Sequence, residues 1–164
     1  MRVDAMLCNH AEVQNNMLYI AGGGIEVTQI PPGVPGPYGV NVGIGLIVTV
    51  PWSGTNEQHT LAIDMFTEDG APVLVPTGPD TEAPLHLEFQ FNVGRPPGVP
   101  AGEDQHVCLA ANLPGLPVPS VGSYSFRLTV DGVEDERALR YRIMAAPPQP
   151  GAFGPAAPGP ISGI

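Results

Sequence analysis

Residues 85 to 93, LHLEFQFNV, alternate apolar and polar side chains without a break, and this period of two recurs along most of the chain. Such a segment can bury one face only as a β-strand, because successive strand side chains point to opposite sides. Leu85, Leu87, Phe89, Phe91 and Val93 share one face, and His86, Glu88, Gln90 and Asn92 the other. In YSFRLTV, Tyr124, Phe126, Leu128 and Val130 oppose Ser125, Arg127 and Thr129. In YGVNVGIGLIVTV, Val40, Val42, Ile44, Leu46, Val48 and Val50 oppose Asn41, Gly43, Gly45 and Thr49. HTLAIDMFTED puts Leu61, Ile63 and Met65 together, and RVDAMLC, MLYIAG, IEVTQI, VCLAANL and LRYRIM are further candidates. No segment carries an apolar stripe of helical period over three turns, and HAEVQNN at 10–16 has room for one helical turn at most. About eight strands at this spacing predict an all-β domain over residues 1–144, an antiparallel β-sandwich of immunoglobulin-like or C2-like type.

Proline and glycine, 21 of each, fall mostly between these segments. IPPGVPGP at 30–37 and GRPPGVPAG at 94–102 suit crossings between sheets and protect edges, since proline cannot extend a ladder. For the last hairpin, a two-residue turn at Asp131-Gly132 sets Phe126 against Arg137 and Leu128 against Asp135. A longer loop over 131–136 pairs Leu128 with Leu139, Phe126 with Tyr141 and Tyr124 with Ile143. Matching faces favour the longer loop. It also places Arg127 opposite Arg140, with Arg142 nearby, and like charges across a ladder repel. Residues 145–164 form an uncharged Pro/Gly/Ala-rich tail with only Phe153, Ile161 and Ile164 as sizeable apolar groups. Too little apolar surface is available there to offset ordering entropy, so a flexible tail with those three as anchors is expected.

The chemistry excluded by composition is extensive. Net charge is -10, and all six basic residues are arginine. That disfavours nucleic acid and anionic lipid, and it removes Schiff-base and phosphate-loop lysines. No signal peptide or membrane span is read, so a cytoplasmic protein without membrane insertion is expected, its Cys8 and Cys108 kept as thiols. Gly22 to Gly24 lack the last glycine of a dinucleotide loop, Val27 standing there, and strand-like IEVTQI follows where a helix belongs. The triplet is expected to bend a strand. His10, His59, His86 and His106 lack zinc-site spacing. His86 with Glu88 is the nearest approach to a pair, read as a solvated face. No cofactor motif is present, and the expectation is a protein without cofactor or catalytic residues. Acidic turns (Glu68-Asp69, Asp80 with Glu82, Glu103-Asp104, and Asp131 with Glu134 to Glu136) leave calcium or small-ligand binding as an alternative. A hydrolase whose site assembles only in three dimensions is a weaker one.

Arg127, Arg140 and Arg142 on one outward face are unexplained by folding alone. They read either as partners of neighbouring carboxylates or as a docking patch for an acidic segment or another subunit. Arg95 in GRPPG is either a bridge that pins its loop or part of an interaction tip. LCNHAEV, MLYIAGGG, FNVGRPPGVPAGE and GSYSFRLTVDG, in this order, resemble an uncharacterised bacterial family of small proteins common in actinobacteria, the domain of unknown function 6941 family. The resemblance covers about residues 1 to 143; it implies a cytoplasmic β-sandwich and transfers no activity. The expected function is a non-enzymatic protein-interaction or scaffold module that engages another protein or its own subunits.

Overall fold

The computed structural model describes residues 1–135 and 137–147. In chain order its strands are β1 (Arg2–Cys8), β2 (His10–Gln14), β3 (Met17–Ala21), β4 (Val27–Ile30), β5 (Tyr38–Val50) and β6 (Gln58–Thr67). β7 (Leu74–Gly78), β8 (Thr81–Pro84), β9 (His86–Asn92), β10 (Gln105–Val118), β11 (Gly122–Val130), β12 (Val133–Glu134) and β13 (Leu139–Ala145) follow. A single 3-10 turn, Trp52–Gly54, interrupts them. The chain is all-β, as the alternation requires.

Two sheets face each other. One has the order β1-β5-β10, the other β4-β13-β11-β6-β9 with β12 paired to β11. The inward residues of both form one core: Val42, Ile44, Leu46, Val48 and Val50 from β5 meet Leu61, Ile63, Met65, Phe126, Leu128, Tyr141 and Ile143. Each of the alternating faces read above is the buried face of its strand. The Tyr124 hydroxyl closes the turn before β11 by donating to the Ser120 carbonyl oxygen at 2.7 Å.

β2 and β3 make a hairpin that lies on the outside of the smaller sheet. Residues 10–16, with room for one helical turn at most, hold a strand and a tight turn instead. Asn15 and Asn16 both take positive φ, 51° and 58°, the twisted two-residue turn that matches flanking strands. Gly43 and Gly45 sit beneath this hairpin. A Cβ on Gly45 would come within 2.8 Å of the Ile20 Cδ1, so the outward face of β5 is bare because another layer rests on it. Asn112 clamps that layer: its side chain donates to the Ala11 carbonyl at 2.7 Å and accepts the Ala11 N–H at 3.0 Å. Asn16 does the same at the other end, to the His106 carbonyl and the Cys108 N–H.

Three further expectations need correcting. The glycine triplet does more than bend a strand: β3 ends at Ala21, and the triplet carries the chain to β4 in the other sheet. Gly24 takes a φ of 84° there and donates its N–H to Leu7. β4 pairs with β13 in parallel, so the sandwich is not wholly antiparallel. In the last hairpin the rejected two-residue turn forms, Val130 pairing with Val133 across Asp131-Gly132. Beyond it the ladder shifts, and Phe126 pairs with Leu139, Tyr124 with Tyr141 and Gly122 with Ile143. That register differs by two residues from the expected one. A two-residue slip keeps every side chain on its face, so face matching alone could not detect it. Phe153, Ile161 and Ile164 lie outside the described residues.

Candidate functional site: an arginine-lined groove

The register shift decides what happens to the arginines. Arg140 faces Ser125 and Arg142 faces Ser123, so neither opposes Arg127, and the expected repulsive pair does not exist. Two small hydroxyl side chains leave a trough between β13 and the next strand. It forms a groove of about 580 Å³ on the outer face of the larger sheet, lined by Arg127, Arg140, Arg142, Ser123, Ser125 and Thr67, with Val27 at one side. Among the described residues Glu26 and Glu68 are its only lining carboxylates.

Arg127 is held. Its guanidinium carbon stands 4.2 Å from the centre of the Phe66 ring, and its Nε is 3.8 Å from a Glu134 oxygen. Stacking of this kind fixes the long side chain while leaving N–H donors free. Arg140 and Arg142 are exposed and make no ion pair with a carboxylate among the described residues. Three guanidinium groups beside two serine hydroxyls make a donor-rich surface for planar anions, which arginine binds in pairs of parallel hydrogen bonds.

Arg95 belongs elsewhere. It donates from Nε to the Thr55 hydroxyl and from Nη2 to the Trp52 carbonyl at 3.0 Å, and it stacks on the Trp52 ring at 4.4 Å. It bridges the GRPPG loop to the 3-10 turn and lines none of the arginine groove.

The alternation of β6, carried two residues back from Leu61, also places His59 inside, only 4% exposed. Its Nδ1 lies 2.8 Å from an Asp131 carboxylate oxygen and its Nε2 2.7 Å from the Gly54 carbonyl. A carbonyl and a carboxylate both accept, so these contacts favour the doubly protonated ring, in which both nitrogens donate. Burial works against that charge, but the Gly54 carbonyl and Asp131 outweigh it and raise the His59 pKa. Asp131 is likewise opposed by burial, yet the Thr60 N–H and His59 hold its pKa down. The pair ties the β11–β12 turn to the start of β6. Both ring nitrogens are taken up by these two bonds, so the pair acts as a clasp between the two segments. On the surface His86 binds Asp64 at 2.7 Å, which raises its pKa, while Glu88 stands farther off at 3.9 Å.

The acidic turns do not converge: among the described residues no group of three or more His, Cys, Asp or Glu side chains is placed to hold a metal ion. Nor is any helix among them long and apolar enough to cross a membrane. A family model, Family of unknown function (DUF6941), matches residues 3–142. Neither a curated protein nor a solved structure matches the chain.

Proposed function

The chain belongs to this family of unknown function, and from that premise we propose that it is a non-enzymatic interaction module whose arginine groove receives an acidic segment of another protein. One observation carries the reading. In a chain of net charge -10 with only six basic residues, three line a single open groove, two of them without a carboxylate partner among the described residues. Against so negative a background, an acidic segment gains from a local positive field and is repelled elsewhere, which gives orientation as well as affinity. The same surface would serve an acidic stretch on a second copy of the chain. The cytoplasm suits such a module. Cys8 and Cys108 pair to β5 from opposite sides, against Gly43 and Ile47, two strand spacings apart. With the four-residue offset along β5 that is roughly 16 Å, beyond the reach of a disulfide, so no oxidising compartment is needed.

Binding of a fluorescein-labelled glutamate-rich peptide, followed by anisotropy against a glutamine-substituted control, tests the reading. The glutamate peptide binds and weakens as salt rises. Each of Arg140→Ala and Arg142→Ala loosens it about tenfold, the loss of one charge-assisted contact. Equal binding of both peptides, or indifference to both substitutions, refutes the groove as an anion site.

A further inference from the structure

The groove is bordered by an open sheet edge. Among the described residues β4 pairs with β13 and with no other strand, so one side of its backbone has no ladder partner there. Arg142 donates its N–H to Glu26 at 2.7 Å and Ala146 donates to Ile30 at 2.8 Å. In a parallel ladder alternate residues turn their backbone groups to the same neighbour. Residues 26, 28 and 30 therefore face β13, and the N–H and C=O groups of Val27 and Gln29 point to the open side. The side chains divide in the same way. Thr28 points inward, where its hydroxyl accepts from Tyr141 at 2.6 Å, and Ile30 is buried. Val27 and Gln29 point outward, Val27 directly beside Arg142.

We infer that the acidic segment enters as an added strand along β4, with acidic residues at alternate positions and apolar residues between them. This rests on the proposed function and specifies its partner. Backbone pairing with Val27 and Gln29 supplies affinity without regard to sequence, and the side-chain alternation supplies selectivity. Residues on the outward face of the added strand stand about 10 Å from β13, two strand spacings away. Arg142 and Val27 are register partners that both line the groove, and the long arginine side chain can span that distance to a glutamate on the added strand. Residues on the other face continue the line of Thr28 and Ile30 at the margin of the core, where an apolar side chain fits and a charge does not. Charge complementarity thus selects the occupant, and an uncharged edge-binding strand would leave the arginines unpaired.

The test uses the full chain and a hexapeptide alternating valine and glutamate, with amide hydrogen exchange read by NMR. In the free protein the Val27 and Gln29 amides exchange rapidly, and saturating peptide slows both at least about tenfold. Methylating the peptide nitrogens that face β4, or replacing Gln29→Pro, removes backbone bonds while sparing the arginines. Each weakens binding about tenfold, as expected for one or two lost hydrogen bonds. If the methylated peptide binds as tightly as the parent and Val27 and Gln29 stay unprotected, strand addition is wrong. The anion groove then survives on the effect of Arg142→Ala. If neither Arg140→Ala nor Arg142→Ala changes binding, both readings fall together. Slow exchange at Val27 and Gln29 in the free chain would show the edge already occupied, by this chain or a second copy, and would overturn an external partner.

Discussion

At the residue scale, His59 and Asp131 form a charge-assisted pair whose histidine is buried. The raised histidine pKa stabilises the folded state fully below the ordinary value of 6.5, and that contribution disappears as pH rises through the higher folded value. The lowered Asp131 pKa acts in the opposite sense, present above 3.8 and lost as pH falls through the lower folded value. Both operate together between those two ordinary values. Thermal unfolding of the natural chain therefore peaks in mildly acidic buffer and declines towards pH 8, whereas His59→Gln flattens the alkaline decline. At the optimum, His59→Ala costs about 2 kcal/mol, because the Gly54 carbonyl loses its donor while Asp131 keeps some contact with water. A wild-type melting profile level from pH 5 to 8 would rule the ion pair out. The inward position of His59 was legible, since 59, 61, 63 and 65 share a parity. Its bond to Asp131 was not, because nothing in local spacing relates residues 72 apart in the chain.

At the scale of elements, the β2–β3 hairpin is a separate layer held by two asparagines and two glycines. Asn112→Ala removes two part-buried hydrogen bonds to Ala11 and costs about 2 kcal/mol. Gly45→Val drives a side chain into Ile20 and Leu18 and costs about 1–3 kcal/mol as overpacking. In both variants amide exchange accelerates across residues 10–21 before the rest of the sandwich opens. Unchanged exchange there would mean that the hairpin does not depend on these contacts. Strand faces were readable throughout because burial imposes a period of two on the sequence itself. Register and layer were not. The hairpin from β11 slipped by two residues without violating any face, and the bare face of β5 reads as solvent-exposed until the covering layer is known. The clustering of Arg127, Arg140 and Arg142 followed from parity alone. Their separation by Ser123 and Ser125 depended on the register.

On the scale of the whole molecule, β13 joins everything that matters. It places Tyr141 and Ile143 in the core, carries two of the three groove arginines, and is the sole sheet partner of β4 among the described residues. A chain ending at residue 138 loses these together. It is expected to show no cooperative thermal transition, and a sharp transition in that shortened chain would show that the remaining strands suffice.

The parallel pairing of β4 with β13 carries a consequence for synthesis. Val27 leaves the ribosome 115 residues before Arg142, its register partner. At ordinary elongation rates that interval lasts on the order of ten seconds. Throughout it, the early strand has no sheet to join. The edge that borders the arginines comes into being only when translation has passed residue 145. A partner recruited along this edge, as proposed, would meet it fully formed only in chains made that far, and its binding would report that the sandwich has been completed.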